Sequence, residues 1–273
     1  MFLIETLGQM FSYSFLVRGM IVGMIVAICA SLLGVILVLK RYSMIGDGLS
    51  HISFGAMAIG LAFGFAPIKV AIPVTIIAAF ILLKLSDNSH INGDAAIALG
   101  SSSFLAIGII VNSLVTGTSI DLNSYMFGSI LAISKEDMWI CIILGVIIAV
   151  SFMWFYHQIF AITFDENFAA ATGVKVQLYK TVLSVLTALT VVIGMRIMGT
   201  LLISSLIIFP ALSSLMVFKK FKYVMAGSVV ISFVSFFIGM VCSYIFSIPT
   251  GASIVVVNLI VFVMMAIVGQ IKK

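Results

Sequence analysis

Charged side chains are scarce in this 273-residue chain. Asp, Glu, Lys and Arg make up 8% of it, hydrophobic residues 63%, and the mean hydropathy is +1.34. A soluble domain carries about 25% charged and about 45–50% apolar residues. This little polar surface excludes an ordinary soluble enzyme, a disordered protein and a nucleic-acid binder. Cysteines number three, and Cys29, Cys141 and Cys242 stand far apart in apolar runs, with no metal-ligand or redox spacing; they read as buried thiols. The chain has no GxxxxGK[ST] phosphate loop, which rules out ATP hydrolysis by that route, and no HExxH zinc-protease motif. Met44-Ile45-Gly46-Asp47-Gly48 approaches the GxGD form of intramembrane aspartyl proteases. Its first glycine is missing, and no second intramembrane aspartate completes the pair that chemistry needs. The N-terminus lacks a basic region and a small-residue cleavage site, so the first hydrophobic segment is expected to be retained.

Long hydrophobic runs fill the rest. A bilayer core of about 30 Å requires about 20 apolar residues of helix. Runs of that kind lie near 19–39, 49–66, 68–84, 95–116, 138–157, 180–196, 198–218, 223–246 and 251–270. The expected fold is therefore all-α: a polytopic transmembrane helical bundle of nine spans, within a range of eight to ten. Gly64, Pro67 and Lys69 separate the second span from the third, and Arg196 with Gly199 separates the sixth from the seventh. Either break could instead mark a re-entrant helix. No linker or soluble insertion interrupts the pattern, so residues 1–273 read as a single membrane domain.

The formal charge of +5 comes from fourteen basic and nine acidic residues. Basic residues concentrate in cytoplasmic loops of membrane proteins. If Lys219, Lys220 and Lys222 face the cytoplasm, nine alternating spans put Lys40, Arg41, Lys84, Lys175, Lys180, Lys272 and Lys273 there too. That makes ten inside, against Arg18, Lys69, Lys135 and Arg196 outside. The expected orientation is N-terminus out and C-terminus in.

Eight of the nine acids fall in expected loops or the N-terminal tail. The exception is Asp47, which leads into an apolar segment with His51 four residues on. On a helix both side chains share one face. A carboxylate and an imidazole together suit zinc and tolerate manganese. Two ligands hold an ion loosely, as transport requires, and a second copy of the chain could add two more. The alternative is that Asp47 caps the following helix. His90 reads as a solvated loop residue, His157 as an interfacial anchor beside Trp154 and Tyr156, and the sixteen methionines mostly as packing.

Two further stretches carry information. Phe164-Asp165-Glu166-Asn167-Phe168-Ala169-Ala170-Ala171-Thr172-Gly173-Val174 is a short helix-forming run, with acids at its start and a glycine stop. It reads either as an interfacial helix or as a docking element whose alanine face lets a soluble partner approach closely. Gly199 through Ala211, with Ser204, Ser205 and Pro210, combines small residues and a proline, which indicates close helix packing and a local bend.

These stretches together resemble the membrane subunit of the zinc/manganese ABC importers. The resemblance rests on Leu33-Gly34-Val35 through Lys40-Arg41, and on Ser43-Met44-Ile45-Gly46-Asp47-Gly48-Leu49-Ser50-His51. It continues through Asp121 to Ile133, Phe164-Asp165 to Gly173-Val174, and Gly199 to Pro210. It implies a type II importer permease: two copies forming the pathway, two ATPase subunits below, and an extracellular metal-binding protein delivering the ion. By the same resemblance Asp47 and His51 line the metal route. Phe164, Asp165, Glu166, Ala169 and Gly173 belong to the loop that couples to the ATPase, where ATP is used; Gly199 and Pro210 shape a packed helix. No covalently bound cofactor is implied, only transported Zn2+ or Mn2+. The form Ile45 to His51 followed by Ser53-Phe54-Gly55 is closer to the zinc members, which favours zinc over manganese. The alternatives are a permease for another small solute, such as a siderophore or vitamin, and a stand-alone carrier or channel.

Overall fold

The computed structural model describes residues 10, 12–86, 93–114 and 133–271. Most of the 121–133 stretch lies outside these residues, as do His90, Lys272 and Lys273. Among the described residues are nine long helices: α1 (Ser14–Leu39), α2 (Ile45–Ala62), α3 (Pro67–Ser86), α4 (Gly93–Leu114), α5 (Lys135–Trp154), α8 (Val176–Met198), α9 (Thr200–Val217), α10 (Phe221–Phe246) and α11 (Thr250–Ile271). Two short ones, α6 (Tyr156–Phe164) and α7 (Glu166–Ala171), lie between α5 and α8. Eight of the nine long helices are apolar enough to cross a membrane; α2, which carries Asp47 and His51, is the more polar ninth.

The bundle is built around α1, which packs against α5, α8, α9 and α10. Helices α2, α3 and α4 form a neighbouring group, and α8 and α9 join the two. The outer faces of α5 and α11 are apolar, with Ile143, Ile147, Leu259, Val263 and Ile267 all exposed. A surface of this kind suits lipid. Inside, small residues let backbones approach: a Cβ at Gly34 of α1 would meet the Ile207 carbonyl of α9, and one at Gly55 of α2 would meet the Phe104 carbonyl of α4. Several buried hydroxyls find partners within the bundle, whereas those of Ser53, Thr75, Ser205, Ser213 and Ser235 have none among the described residues. Thr187 and Thr190 donate to carbonyls one turn back, and Ser232 donates from α10 to the Ala27 carbonyl of α1 at 2.9 Å.

The breaks expected from sequence are real turns. Gly64 (φ +73) and Pro67 separate α2 from α3, while Gly199, at φ +87 and ψ 163, separates α8 from α9. That backbone region is essentially open only to glycine. Helix α9 continues through Pro210, which is buried in its middle.

Contacts between helices define the two ends. Lys40 and Lys180 both meet Glu166, and Tyr156 and Phe160 stack near Phe221 at 5.7 and 5.4 Å. The end of α1 and the starts of α8 and α10 therefore lie together, which gathers Lys40, Arg41, Lys175, Lys180, Lys219, Lys220 and Lys222 at a basic end. At the opposite end, Arg196 Nη1 of α8 reaches Asp137 Oδ1 of α5 at 2.6 Å. Asp137 also closes a capping box with Ser134 at the start of α5.

Candidate functional site

Helix α1 ends in a reversal that turns the chain straight into α2. Arg41 adopts a left-handed conformation (φ 62), and the Tyr42 amide reaches back to the Leu37 carbonyl at 2.7 Å. Three residues later α2 begins. Its N-cap is Met44, whose side chain caps nothing, and Asp47 stands in the first turn. The Asp47 carboxylate finds its partners on His51 and Ser204 and does not cap α2. Its Oδ2 lies 3.5 Å from Nε2 of His51, one turn along, and its Oδ1 accepts from Ser204 of α9 at 3.2 Å. The spacing of four residues has placed both groups on one face, as expected.

The depth of this pair follows from its neighbours. A Cβ at Gly46 would meet Ile207 of α9, the residue whose carbonyl crowds Gly34 of α1. Ile203 and Val26 of α1 both approach Gly194. Ser204, between Ile203 and Ile207, is thus level with the stretch of α1 between Val26 and Gly34. At 1.5 Å per residue this stretch lies about 8–20 Å inside the end of α1 at Leu39. Asp47 therefore sits within the bundle although it is only a few residues from a turn. The chain re-enters before α2 starts.

Asp47 and His51 are also partly open to the outside of the chain, with side chains 39% and 22% exposed. Among the described residues no third His, Cys, Asp or Glu joins them. One copy therefore offers a carboxylate oxygen and an imidazole nitrogen, half of the four-ligand shell that zinc prefers. No ion-binding role is given by this geometry to the three cysteines: Cys29 and Cys141 are buried, and Cys242 is partly buried.

Phe164, Asp165, Glu166, Ala169 and Gly173 come together at the basic end. Asp165 caps α7, accepting from the Phe168 amide at 2.9 Å. Gly173 ends it at φ +85, with the Gly173 and Val174 amides returning to the Ala170 and Ala169 carbonyls. Phe164 and Phe168 are exposed, as are Ala170 and Ala171, whereas Ala169 is fully buried. The alanines thus do not form one docking face; successive residues of a helix point about 100° apart. Glu166 turns inward, accepting from Lys40 Nζ and, at 3.1 Å, from Lys180 Nζ. Burial pushes the Glu166 carboxyl up, but the hydrogen bonds and charges of the two lysines outweigh it and hold the group below the usual carboxylate range.

Gly199 and Pro210 lie on either side of the Ser204 contact. Gly199 fixes where α9 starts, and Pro210 packs within it two turns beyond Ser204, next to Phe209, which meets Phe262 of α11 edge-on at 6.1 Å. Ser204 was legible only as a small residue in a packed span. The signal that could have singled it out is a Ser-Ser pair deep in an apolar run, since buried hydroxyls there need partners.

Residues 12–269 match the model of the ABC 3 transport family. The chain is 31% identical to the manganese import system permease protein ScaB of Streptococcus gordonii, over 94% of this chain and 92% of that protein. It is 27% identical to the high-affinity zinc uptake system membrane protein ZnuB of Haemophilus influenzae, over 92% and 97% respectively. The solved structure of PsaBC from Streptococcus pneumoniae in complex with Fab includes a chain that superposes with a TM-score of 0.84 at 31% identity. That match covers 96% of this chain and 94% of the other.

Proposed function

This chain belongs to the ABC 3 transport family, and from that membership we propose that it carries Mn2+ or Zn2+ across the cell membrane through a route lined by Asp47 and His51. It is the multi-pass permease component of a manganese/zinc-type ABC importer. The observation that carries the site assignment is the Asp47–His51 pair, 3.5 Å apart, deep in the bundle and partly open on its outer side. Facing lipid, an aspartate at such depth costs about 2.5–3.5 kcal/mol. A second copy covering the pair removes that cost and brings two more ligands, so the working unit is a dimer with a four-ligand site. The ligands are an oxygen and a nitrogen from each copy, a mixed set that either ion accepts.

The rest of the assembly follows from the same reading. Residues 1–273 act as one membrane domain. Its basic end faces the cytoplasm, with N-terminus out and C-terminus in, which accords with the positive-inside rule. There Phe164 and Phe168, exposed on either side of the Asp165 cap, dock on a separate ATPase subunit that consumes ATP. An extracellular binding protein delivers the ion at the opposite end, near the Arg196–Asp137 pair. Two ligands per copy, neither tightly enclosed, fit an ion that must arrive and leave.

Vesicle reconstitution tests this reading. Chain plus ATPase plus binding protein should import radiolabelled Mn2+ or Zn2+ on ATP addition, and chain alone should import neither. Import by the chain alone would replace the ABC reading with a carrier. Relatives carry both manganese and zinc names, so competition between the two ions in the same vesicles identifies the cargo; the Ile45–His51 motif favours zinc.

A further inference from the structure

The Glu166 carboxylate joins two arms of the chain that meet again at the Asp47 site. One arm starts at Lys40, directly after α1, and reaches Asp47 through the Arg41 reversal in seven residues. The other starts at Lys180, runs along α8 to Gly199, and reaches Ser204, which donates to Asp47. The first arm carries the Asp47 carboxylate itself, and the second holds that carboxylate through Ser204 of α9. Resting on the reading above, we propose that Glu166 is a positioning residue for transport, delivering movement of α7 to both arms of the metal site at once.

Physical considerations favour a mechanical role over simple charge neutralisation. Helix α7 has only six residues and cannot hold itself together alone. Its inward contacts are Ala169, which is fully buried, and Glu166. The two lysine side chains are 11% and 15% exposed, so both ammonium groups are largely withdrawn from water and share one carboxylate. A carboxylate that bridges two cations, one just past the end of α1 and one on α8, fixes a distance as well as a charge. The second arm is stiff along α8, a continuous 23-residue helix packed on α1, α3 and α9. The first is a short turn whose Arg41 and Tyr42 amides bond back to the Val38 and Leu37 carbonyls. A shift of α7 therefore reaches Lys40 and Lys180 directly through the Glu166 carboxylate.

The test uses the full complex in vesicles and reads metal ions imported per ATP hydrolysed, a ratio that a purely stabilising contact leaves unchanged. Glu166→Gln keeps shape and removes the charge; the ratio should fall by roughly 10-fold, within the range seen for residues that carry coupling. If the carboxylate served only to neutralise buried charge, adding Lys180→Gln to Glu166→Gln would restore the ratio; the positioning role predicts no restoration. Lys40→Gln, which leaves Glu166 paired with Lys180, provides an independent variant should Glu166→Gln assemble poorly, and its ratio should fall as well. A wild-type ratio in Glu166→Gln or in Lys40→Gln, or its recovery in the double variant, overturns the proposal. A wild-type complex that hydrolyses ATP yet imports no metal would instead overturn the function on which the proposal rests.

Discussion

Ser204 Oγ stands 3.2 Å from Asp47 Oδ1 and 2.9 Å from the carbonyl of Thr200, so its single proton is shared between two acceptors 157 and four residues away. The contact fastens α9 to the start of α2 and orients the carboxylate whose other oxygen faces His51. Because the proton is shared, Ser204 steers Asp47 more than it stabilises it.

Ser204→Ala should therefore weaken transport moderately. Loss of a shared hydrogen bond to a charged group is worth about 1–1.5 kcal/mol, or about 5–10-fold in the metal concentration giving half-maximal uptake. Uptake titrations of the variant check this, and its maximal rate should survive. A complete loss, equal to that of Asp47→Ala, would make Ser204 part of the ion's coordination shell.

Acid sensitivity follows from Glu166. Its folded-state pKa lies below its ordinary value of about 4.3 because Lys40 and Lys180 hold the charged form. The stabilisation is thus fully present above the ordinary value and is lost as pH falls through the lowered one. Thermal unfolding of the purified protein in detergent should place Glu166→Gln below wild type at pH 7. The gap should close as pH drops under about 4. A gap that widens on acidification would contradict this sign.

At the opposite end, Asp137 has two tasks: it pairs with Arg196 at 2.6 Å and completes the Ser134 capping box. Arg196 is 42% exposed, which limits the pair's worth. Asp137→Ala removes the pair and the reciprocal half of the capping box, leaving the Asp137 amide on Ser134 Oγ, a loss of about 1–2 kcal/mol. In a protein of this size that lowers Tm by about 2–8 °C. Arg196→Gln, which spares the cap, should cost less than half as much. Equal losses would assign the whole effect to the ion pair.

Helix positions were legible because lipid imposes a length and an unbroken apolar run, and every expected span corresponds to a helix among the described residues. The Gly64–Pro67 and Gly199 breaks were legible for a local reason, since a glycine at positive φ needs no distant partner to be recognised. Asp47 and His51 stood out as an acid and an imidazole one turn apart in an apolar setting. Their depth did not, because hydropathy counts residues from a turn and cannot register a chain that reverses and re-enters the bundle. The Lys40–Glu166–Lys180 group was hidden for the same kind of reason. Lys40 and Glu166 are 126 residues apart, and each taken singly reads as an ordinary loop charge. The inward turn of Ala169 likewise depends on what α7 packs against, which three consecutive alanines do not disclose.

Radiotracer uptake into vesicles holding the complete complex, compared between wild type, Asp47→Ala and His51→Ala, bears most directly on the metal route. Each variant should assemble with its ATPase at wild-type yield, since neither side chain caps a helix or fills the core. Each should import Zn2+ and Mn2+ at under about a tenth of the wild-type rate, one lost charged-group interaction of 1.4 kcal/mol or more. Wild-type import of either ion by both variants would contradict the assignment of Asp47 and His51 to the pathway.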